Sequence, residues 1–295
     1  MISYFQAIVI GLLQGVTELF PISSLGHSVL LPAWLGWHTI ANEQSKESPY
    51  LAFLVALHVA TALALLVYYR EDWIKIIGGF FRTLRTRRIE TVDEKMAWLL
   101  IVATIPAGVI GLAFEHELRV VFAKPLAASI FLTINGCILL FGEWLRRKSM
   151  VKDLVATHET THSKTEVGRR SDTLNFKEAL AVGVAQVGAL FAGISRSGIT
   201  MVAGLVRGLD HEDAVRFTFL LATPIILAAG VLKIPDLTGH LGDGIRGQAV
   251  VGGICAALAA FVSVRFLVRF FQTRNLLPFG IYCLVAGALS IIRFA

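Results

Sequence analysis

The stretch Gln14-Gly15-Val16-Thr17-Glu18-Leu19-Phe20-Pro21-Ile22-Ser23-Ser24-Leu25-Gly26-His27 decides how this chain is read. It sets a carboxylate, two serines and an imidazole inside otherwise apolar surroundings. A second stretch, Gly193-Ile194-Ser195-Arg196-Ser197-Gly198-Ile199-Thr200, does the same with an arginine. An ionised side chain at the centre of a bilayer costs roughly 2.5–3.5 kcal/mol on the gentler scales. Residues retained at that cost mark the place where chemistry is expected.

The 295 residues are 55% hydrophobic and 16% charged, with a mean hydropathy of +0.69. Soluble domains carry about 25% charge, so the composition points to a polytopic helical membrane protein. The first apolar run has no basic leader and no small-residue cleavage site, and it reads as part of the fold rather than a signal peptide. The net charge of +6 is concentrated between apolar runs. Membrane topology explains it, and no nucleic-acid partner is expected. Cys137, Cys255 and Cys283 lie in apolar runs without ligand spacing and read as packing residues.

Six segments are long enough to span: 51–69, 96–114, 125–145, 214–233, 247–271 and 277–293. Two further pairs, 4–20 with 24–36 and 176–191 with 197–208, are too short. A helix of about 13 residues reaches only ~20 Å, against a hydrocarbon core of ~30 Å. Each pair is therefore expected to form a re-entrant hairpin, with irregular backbone enclosed by protein. The hairpins also resemble each other. A shift of 172 residues (186 − 14) sets Gln186 on Gln14, Gly183 on Gly11, Ala179 on Ala7, Ser195 on Ser23 and Gly198 on Gly26.

Three spans follow each hairpin, and three is odd, so the second copy must enter the membrane inverted. The expected fold is an all-α polytopic membrane protein with an inverted-topology repeat, each half a re-entrant hairpin plus three transmembrane helices. It forms one integral membrane domain over 1–295: repeat 1 at 1–147, a polar connector at 148–175 and repeat 2 at 176–295. Basic clusters at Arg70–Arg88 and Arg146–Arg170 fall on one side, which the positive-inside rule makes cytoplasmic. Residues 37–50, the segment Glu115–Lys124 and both termini are then expected outside.

Hairpins entering from opposite faces would bring their tips, Pro21–Gly26 and Gly193–Gly198, together at mid-depth. A helix begins after each tip, and helix N-termini attract anions. Ser23, Ser24, Ser195 and Ser197 supply hydroxyls, Gly26 and Gly198 permit close backbone approach, and Arg196 offers a fork matched to phosphate. The expected ligand is a phosphate or diphosphate. Glu18 would repel it, so Glu18 is expected to bind a cation or to move a proton, with His27 nearby and a serine or water as nucleophile. Thr200 follows Arg196 by one turn, within reach of the same phosphate. Gln14 and Gln186 read equally as interhelical hydrogen-bonding groups, and His58 equally as packing or as support for the site.

On these residues the chain resembles the bacterial undecaprenyl-diphosphate phosphatase family, the bacitracin-resistance proteins. One motif runs from Gln14 through Glu18 to Pro21-Ile22-Ser23-Ser24-Leu25-Gly26-His27, and the other from Ala192 to Thr200. The resemblance covers essentially the whole chain. It implies a multi-pass enzyme of the bacterial inner membrane with an outward-facing site, which removes the terminal phosphate of undecaprenyl diphosphate and so recycles the carrier lipid of peptidoglycan synthesis.

By the same resemblance Glu18, Ser24, His27 and Arg196 are catalytic, with Ser24 the nucleophile. Ser23, Ser195, Arg196, Ser197, Gly198 and Thr200 hold the diphosphate, and a divalent cation (Mg2+ or Ca2+) is bound through Glu18 with Gln14 or His27. Two departures stand out: Gln14 replaces one motif carboxylate, and Ala192 replaces the motif proline. Broken helices in inverted repeats also suit transporters, so a flippase for a phosphorylated polyprenyl lipid is the alternative. The oligomeric state is not legible.

Overall fold

The structure, a computed structural model, describes residues 2–37, 49–114, 124–158, 169–239 and 242–295. Most of 37–50 and of Glu115–Lys124, both expected outside, and residues 159–168 of the polar connector lie outside the described residues. Among the described residues the chain is helical throughout, apart from a single isolated bridge between Arg169 and Leu209.

The first hairpin is α1 (Tyr4–Thr17) and α2 (Ser24–Trp34). Then come α3 (Pro49–Tyr68), α4 (Arg70–Thr86), α5 (Val92–Ala113) and α6 (Pro125–His158). The second hairpin is α7 (Phe176–Gln186) and α8 (Arg196–Val206), followed by α9 (His211–Thr238), α10 (Arg246–Thr273) and α11 (Leu277–Phe294). Among the described residues six helices, α3, α5, α6 and α9–α11, are long and apolar enough to cross a membrane, which makes this a multi-pass membrane protein.

The two hairpins share their local construction at the 172-residue offset (176 − 4, 196 − 24). Ser3 caps α1 and Asn175 caps α7, each in a reciprocal capping box, with Gln6 and Glu178 respectively. Ser23 and Ser195 cap α2 and α8 by accepting from the amides of Gly26 and Gly198. Packing follows suit: α1 lies against α10, and α7 against α5. A Cβ at Gly11 would collide with the Gly252 carbonyl, and one at Gly183 with the Ala103 carbonyl. Close backbone approach of this kind is how helices associate where lipid removes most of the hydrophobic drive. Outward faces carry Val109, Phe141, Leu258, Val285 and Ile292 toward lipid, while Leu19, Leu132, Leu139, Phe217 and Phe219 fill the interior.

Three local features depart from the sequence reading. The basic segment after residue 69 is helical. Glu71 and Asp72 in the first turn of α4 and Arg85 in its last match the helix dipole. Ile76 and Thr83 are buried on this helix, Trp98 Nε1 donates to Thr83 Oγ1 at 3.0 Å, and Arg82 pairs with Glu94 at 3.2 Å. Ile74, Ile77, Phe81 and Leu84 stay exposed beside these charges, the pattern of a helix lying in a membrane interface. The second departure is in the returning hairpin, where α7 stops at Gln186 and continues as a 3-10 turn, Val187–Leu190. The third is α6, which runs on to His158, so the polar connector begins in helical form.

Candidate functional site

The site assembles where the hairpin tips touch. α1 ends at Thr17 and leaves Glu18 as its C-cap residue, buried at the head of the turn. The chain then passes through Pro21 to Ser23, whose φ of 73° lies in the region that normally favours glycine. That geometry aims the Ser23 hydroxyl at two amides at once. Its Oγ accepts from Gly26 N at 3.2 Å within its own tip, and from Gly193 N at 3.2 Å in the other. Gly193 itself has φ +112° and packs under α6, where a Cβ would meet the Leu132 amide at 2.7 Å. No other residue fits there.

Further bonds tie the tips together. Asn135 of α6 donates to Pro21 O at 3.0 Å and accepts from Ser195 N at 3.0 Å, clamping one tip to the other. Ser197 Oγ donates to Phe20 O at 3.1 Å. Ser195 Oγ accepts from Gly198 N at 3.1 Å and lies 3.0 Å from Ser197 Oγ. The hydroxyls of Ser23, Ser195 and Ser197 are thus engaged in building the junction. At the two helix starts, the first-turn amides lack helical acceptors by construction.

At the centre stands the Glu18 carboxylate. Its Oε1 pairs with Arg196 Nη2. Its Oε2 accepts from the Ser24 hydroxyl, from Gln14 Nε2 at 2.9 Å and from His58 Nε2 at 3.2 Å. Ser24 and Arg196, expected beside Glu18 from sequence, both bond directly to its carboxylate. Arg196 Nη1 also reaches the Ala222 carbonyl of α9, at 3.5 Å.

His27 behaves differently. Its Nδ1 lies 2.7 Å from Ser23 O, and its Nε2 lies 2.8 Å from the Tyr282 hydroxyl. With Nδ1–H donated to the carbonyl, Nε2 is the acceptor for the tyrosine proton. Both ring nitrogens are therefore committed to partners other than Glu18 and Arg196. Gly198 lies against Pro21, whose Cβ is 3.3 Å from where a Gly198 side chain would begin. Thr200 is buried, and its hydroxyl has no protein partner.

A hard divalent cation needs oxygen ligands, and it commonly uses one or two from protein with the rest from phosphate and water. The Glu18 carboxylate is of that kind. Gln14 Oε1 is a buried acceptor with no partner, on the side chain whose Nε2 already touches Glu18. Gln14 Oε1 is free to meet such an ion, Glu18 could do so only by giving up one of its four donors, and His27 has no free nitrogen for it. Among the described residues no cluster of three His, Cys, Asp or Glu side chains exists, so phosphate would have to complete the shell.

Sequence reasoning left His58 undecided, and it overlooked Asn135 and Tyr282. Asn135 did carry a signal, being a lone amide at the middle of the apolar run Phe131–Phe141. Tyr282 carried none that spacing reveals.

Comparison with known proteins bears on the family. The chain is 53% identical to undecaprenyl-diphosphatase 2 of Frankia alni, covering 100% of this chain and 98% of that protein. It is 54% identical to undecaprenyl-diphosphatase of Mycolicibacterium paratuberculosis, with the same coverage. Identity to undecaprenyl-diphosphatase 2 of Burkholderia orbicola is 45%, over 97% of this chain and 95% of that one. The family described as bacitracin resistance protein BacA matches residues 7–289, and to that family this chain belongs.

Proposed function

We propose that this protein hydrolyses undecaprenyl diphosphate to undecaprenyl phosphate and inorganic phosphate, recycling the lipid carrier of cell-wall synthesis and thereby conferring bacitracin resistance. The observation that carries the reading is Glu18, held between the Ser24 hydroxyl of one tip and the Arg196 guanidinium of the other. The whole-length likeness to undecaprenyl-diphosphatases supports the choice of substrate.

The arriving diphosphate takes the Arg196 fork, a bidentate match for phosphate oxygens, and so competes with Glu18 Oε1. Released from Arg196, Glu18 becomes a better base for the proton that Ser24 donates to it. Ser24 Oγ attacks the terminal phosphorus as its proton passes to Glu18 Oε2. The bond from phosphorus to the bridging oxygen breaks, and undecaprenyl phosphate leaves with the electron pair. Water then cleaves the phosphoserine, releasing inorganic phosphate and returning the proton to Ser24. Thr200, with its unpaired hydroxyl, and those first-turn amides of α2 and α8 that the Ser23 and Ser195 caps do not engage donate to the remaining phosphate oxygens. A divalent cation held by Gln14 Oε1 and the phosphate oxygens would neutralise part of the diphosphate charge and leave Glu18 free to act as the base. His27 supports the Ser23 turn and links it to Tyr282.

The matched hairpins, each packed on a span of the other half, support an inverted repeat of re-entrant hairpins. The basic residues of α4 and at the end of α6 favour a cytoplasmic location for that side, which turns the site outward across the inner membrane. An apolar groove lined by Ile105, Val109, Ile110, Val184 and Val187 opens toward lipid. Its Gly188 edge abuts Ile199, one turn into α8, and the polyprenyl chain would lie there.

Purified protein given undecaprenyl diphosphate should release inorganic phosphate and undecaprenyl phosphate in equal amounts. Transfer of labelled lipid across vesicles without phosphate release would instead establish a flippase.

A further inference from the structure

Four donors converge on Glu18. Gln14, Ser24 and Arg196 belong to the hairpins; His58 comes from the spanning helix α3. The ring is fixed at its other end, where Nδ1 donates at 2.8 Å to the Leu54 carbonyl one turn back; with Nε2 donating to Glu18 as well, both nitrogens carry protons and His58 stands as an imidazolium. The Thr61 hydroxyl donates at 2.7 Å to the His58 carbonyl itself. The ring therefore cannot rotate without giving up a bond to its own helix. The side chains of His58 and Arg196 are 25% and 20% exposed, whereas that of Glu18 is 4% exposed. His58 and Arg196 flank a screened carboxylate from two sides.

We propose that His58 is a positioning residue for Glu18, holding Oε2 in place for the Ser24 proton when substrate takes Arg196 away. This inference rests on the proposed roles of Glu18 and Ser24. At rest the Arg196 ion pair orients the carboxylate by itself. Once a phosphate occupies Arg196, Glu18 retains, besides the reacting Ser24 hydroxyl, Gln14 and His58 against rotation about its flexible side chain. Gln14 rides on α1 with Glu18 and moves with it, so only His58 references the carboxylate to the membrane-spanning frame. The loss of His58 should therefore appear after binding, in kcat, and misplacement of a reacting group by about 1 Å costs on the order of 100-fold.

The test uses the full-length protein in detergent with undecaprenyl diphosphate and three substitutions. Glutamine can place its amide nitrogen where His58 Nε2 sits; asparagine is too short to reach Glu18; leucine fills the volume without a donor. Expected are an about 100-fold fall in kcat for His58→Asn and His58→Leu, KM within about threefold, and recovery to within about fivefold for His58→Gln. Should His58→Leu fail to fold, the glutamine–asparagine pair decides alone. Equal activity in all three variants, or an equal loss that includes His58→Gln, overturns the inference. Glu18→Gln is measured beside them: if it stays active, the proposed chemistry itself fails, whereas an inactive Glu18→Gln with indifferent His58 variants removes only this inference.

Discussion

Ser24 and Arg196 occupy the same position in two related helices, the first residue of α2 and of α8 (196 − 24 = 172), and both bond to the single carboxylate of Glu18. The position matching Glu18 in the second hairpin is Leu190, and the one matching His27 is Ile199. The two copies have thus diverged into complementary halves. One contributes carboxylate and hydroxyl, the other guanidinium, and the site exists only where the tips meet.

Because Glu18 competes with the substrate for Arg196, neutralising it should separate binding from turnover. Glu18→Gln is expected to lower kcat about 1000-fold, within the range of lost acid–base catalysis, while KM stays level or falls. Steady-state phosphate release across a substrate titration checks this. A rise in KM with unchanged kcat would assign Glu18 to binding alone.

Ser23 tests the junction rather than the chemistry. Ser23→Ala loses both the cap to Gly26 and the tie to Gly193 and keeps a side chain at φ 73°. Ser23→Gly loses the same bonds but accepts that backbone geometry freely. Both should lower Tm in detergent, alanine more than glycine, with the lost cap alone costing about 1 kcal/mol. A reversed order would show that the positive φ carries no strain.

Asn135 bonds to the backbone of both tips. Asn135→Leu leaves the Ser195 amide buried without its partner, at a cost of about 1–3 kcal/mol, and leaves the Pro21 carbonyl with only the long Cys283 Sγ contact at 3.9 Å. Asn135→Asp keeps an acceptor for Ser195 but sets oxygen against the Pro21 carbonyl. Both variants should lose thermal stability and activity together. An Asn135→Leu protein as stable as wild type would mean that the tips are held by other means.

At the entrance to the second hairpin, Arg169 Nη1 pairs with Glu178 at 2.7 Å. The Arg169 hydrogen bonds hold the Glu178 carboxyl below its ordinary range. A depressed carboxylate stabilises above its unfolded pKa of about 4.3, and that contribution fades as pH falls through the lower folded value. The pair is partly exposed, so the effect is small. Tm of wild type should exceed that of Glu178→Gln at neutral pH, and the gap should narrow as pH falls below the unfolded carboxylate range. A gap that persists in acid would place the stabilisation elsewhere.

The spans were legible from hydropathy alone, and the site from a few polar residues that a membrane interior does not tolerate idly: Glu18, Ser24 and Arg196. The 172-residue self-similarity (186 − 14) carried the hairpin pairing, down to matched N-caps at Ser23 and Ser195. Helix α4 went unread because its charges masked a helical stripe through Trp73, Ile76, Phe80 and Thr83. The 3-10 break after Gln186 has no proline or polar cluster to announce it. His27 was read toward the phosphate, yet its hydrogen bonds run to Ser23 and Tyr282. Tyr282 lies 255 residues away in sequence, and a contact of that range is set by packing rather than by any local pattern.

In the proposed mechanism guanidinium and hydroxyl, brought by separate helical loops, grip the same pyrophosphate group. Titrating purified protein with a non-hydrolysable methylene analogue of polyprenyl diphosphate reads this directly, since no turnover intervenes. Arg196→Ala should weaken binding at least about 30-fold, the equivalent of roughly 2 kcal/mol for a lost charge-assisted pair. Affinity within twofold of wild type would contradict the account.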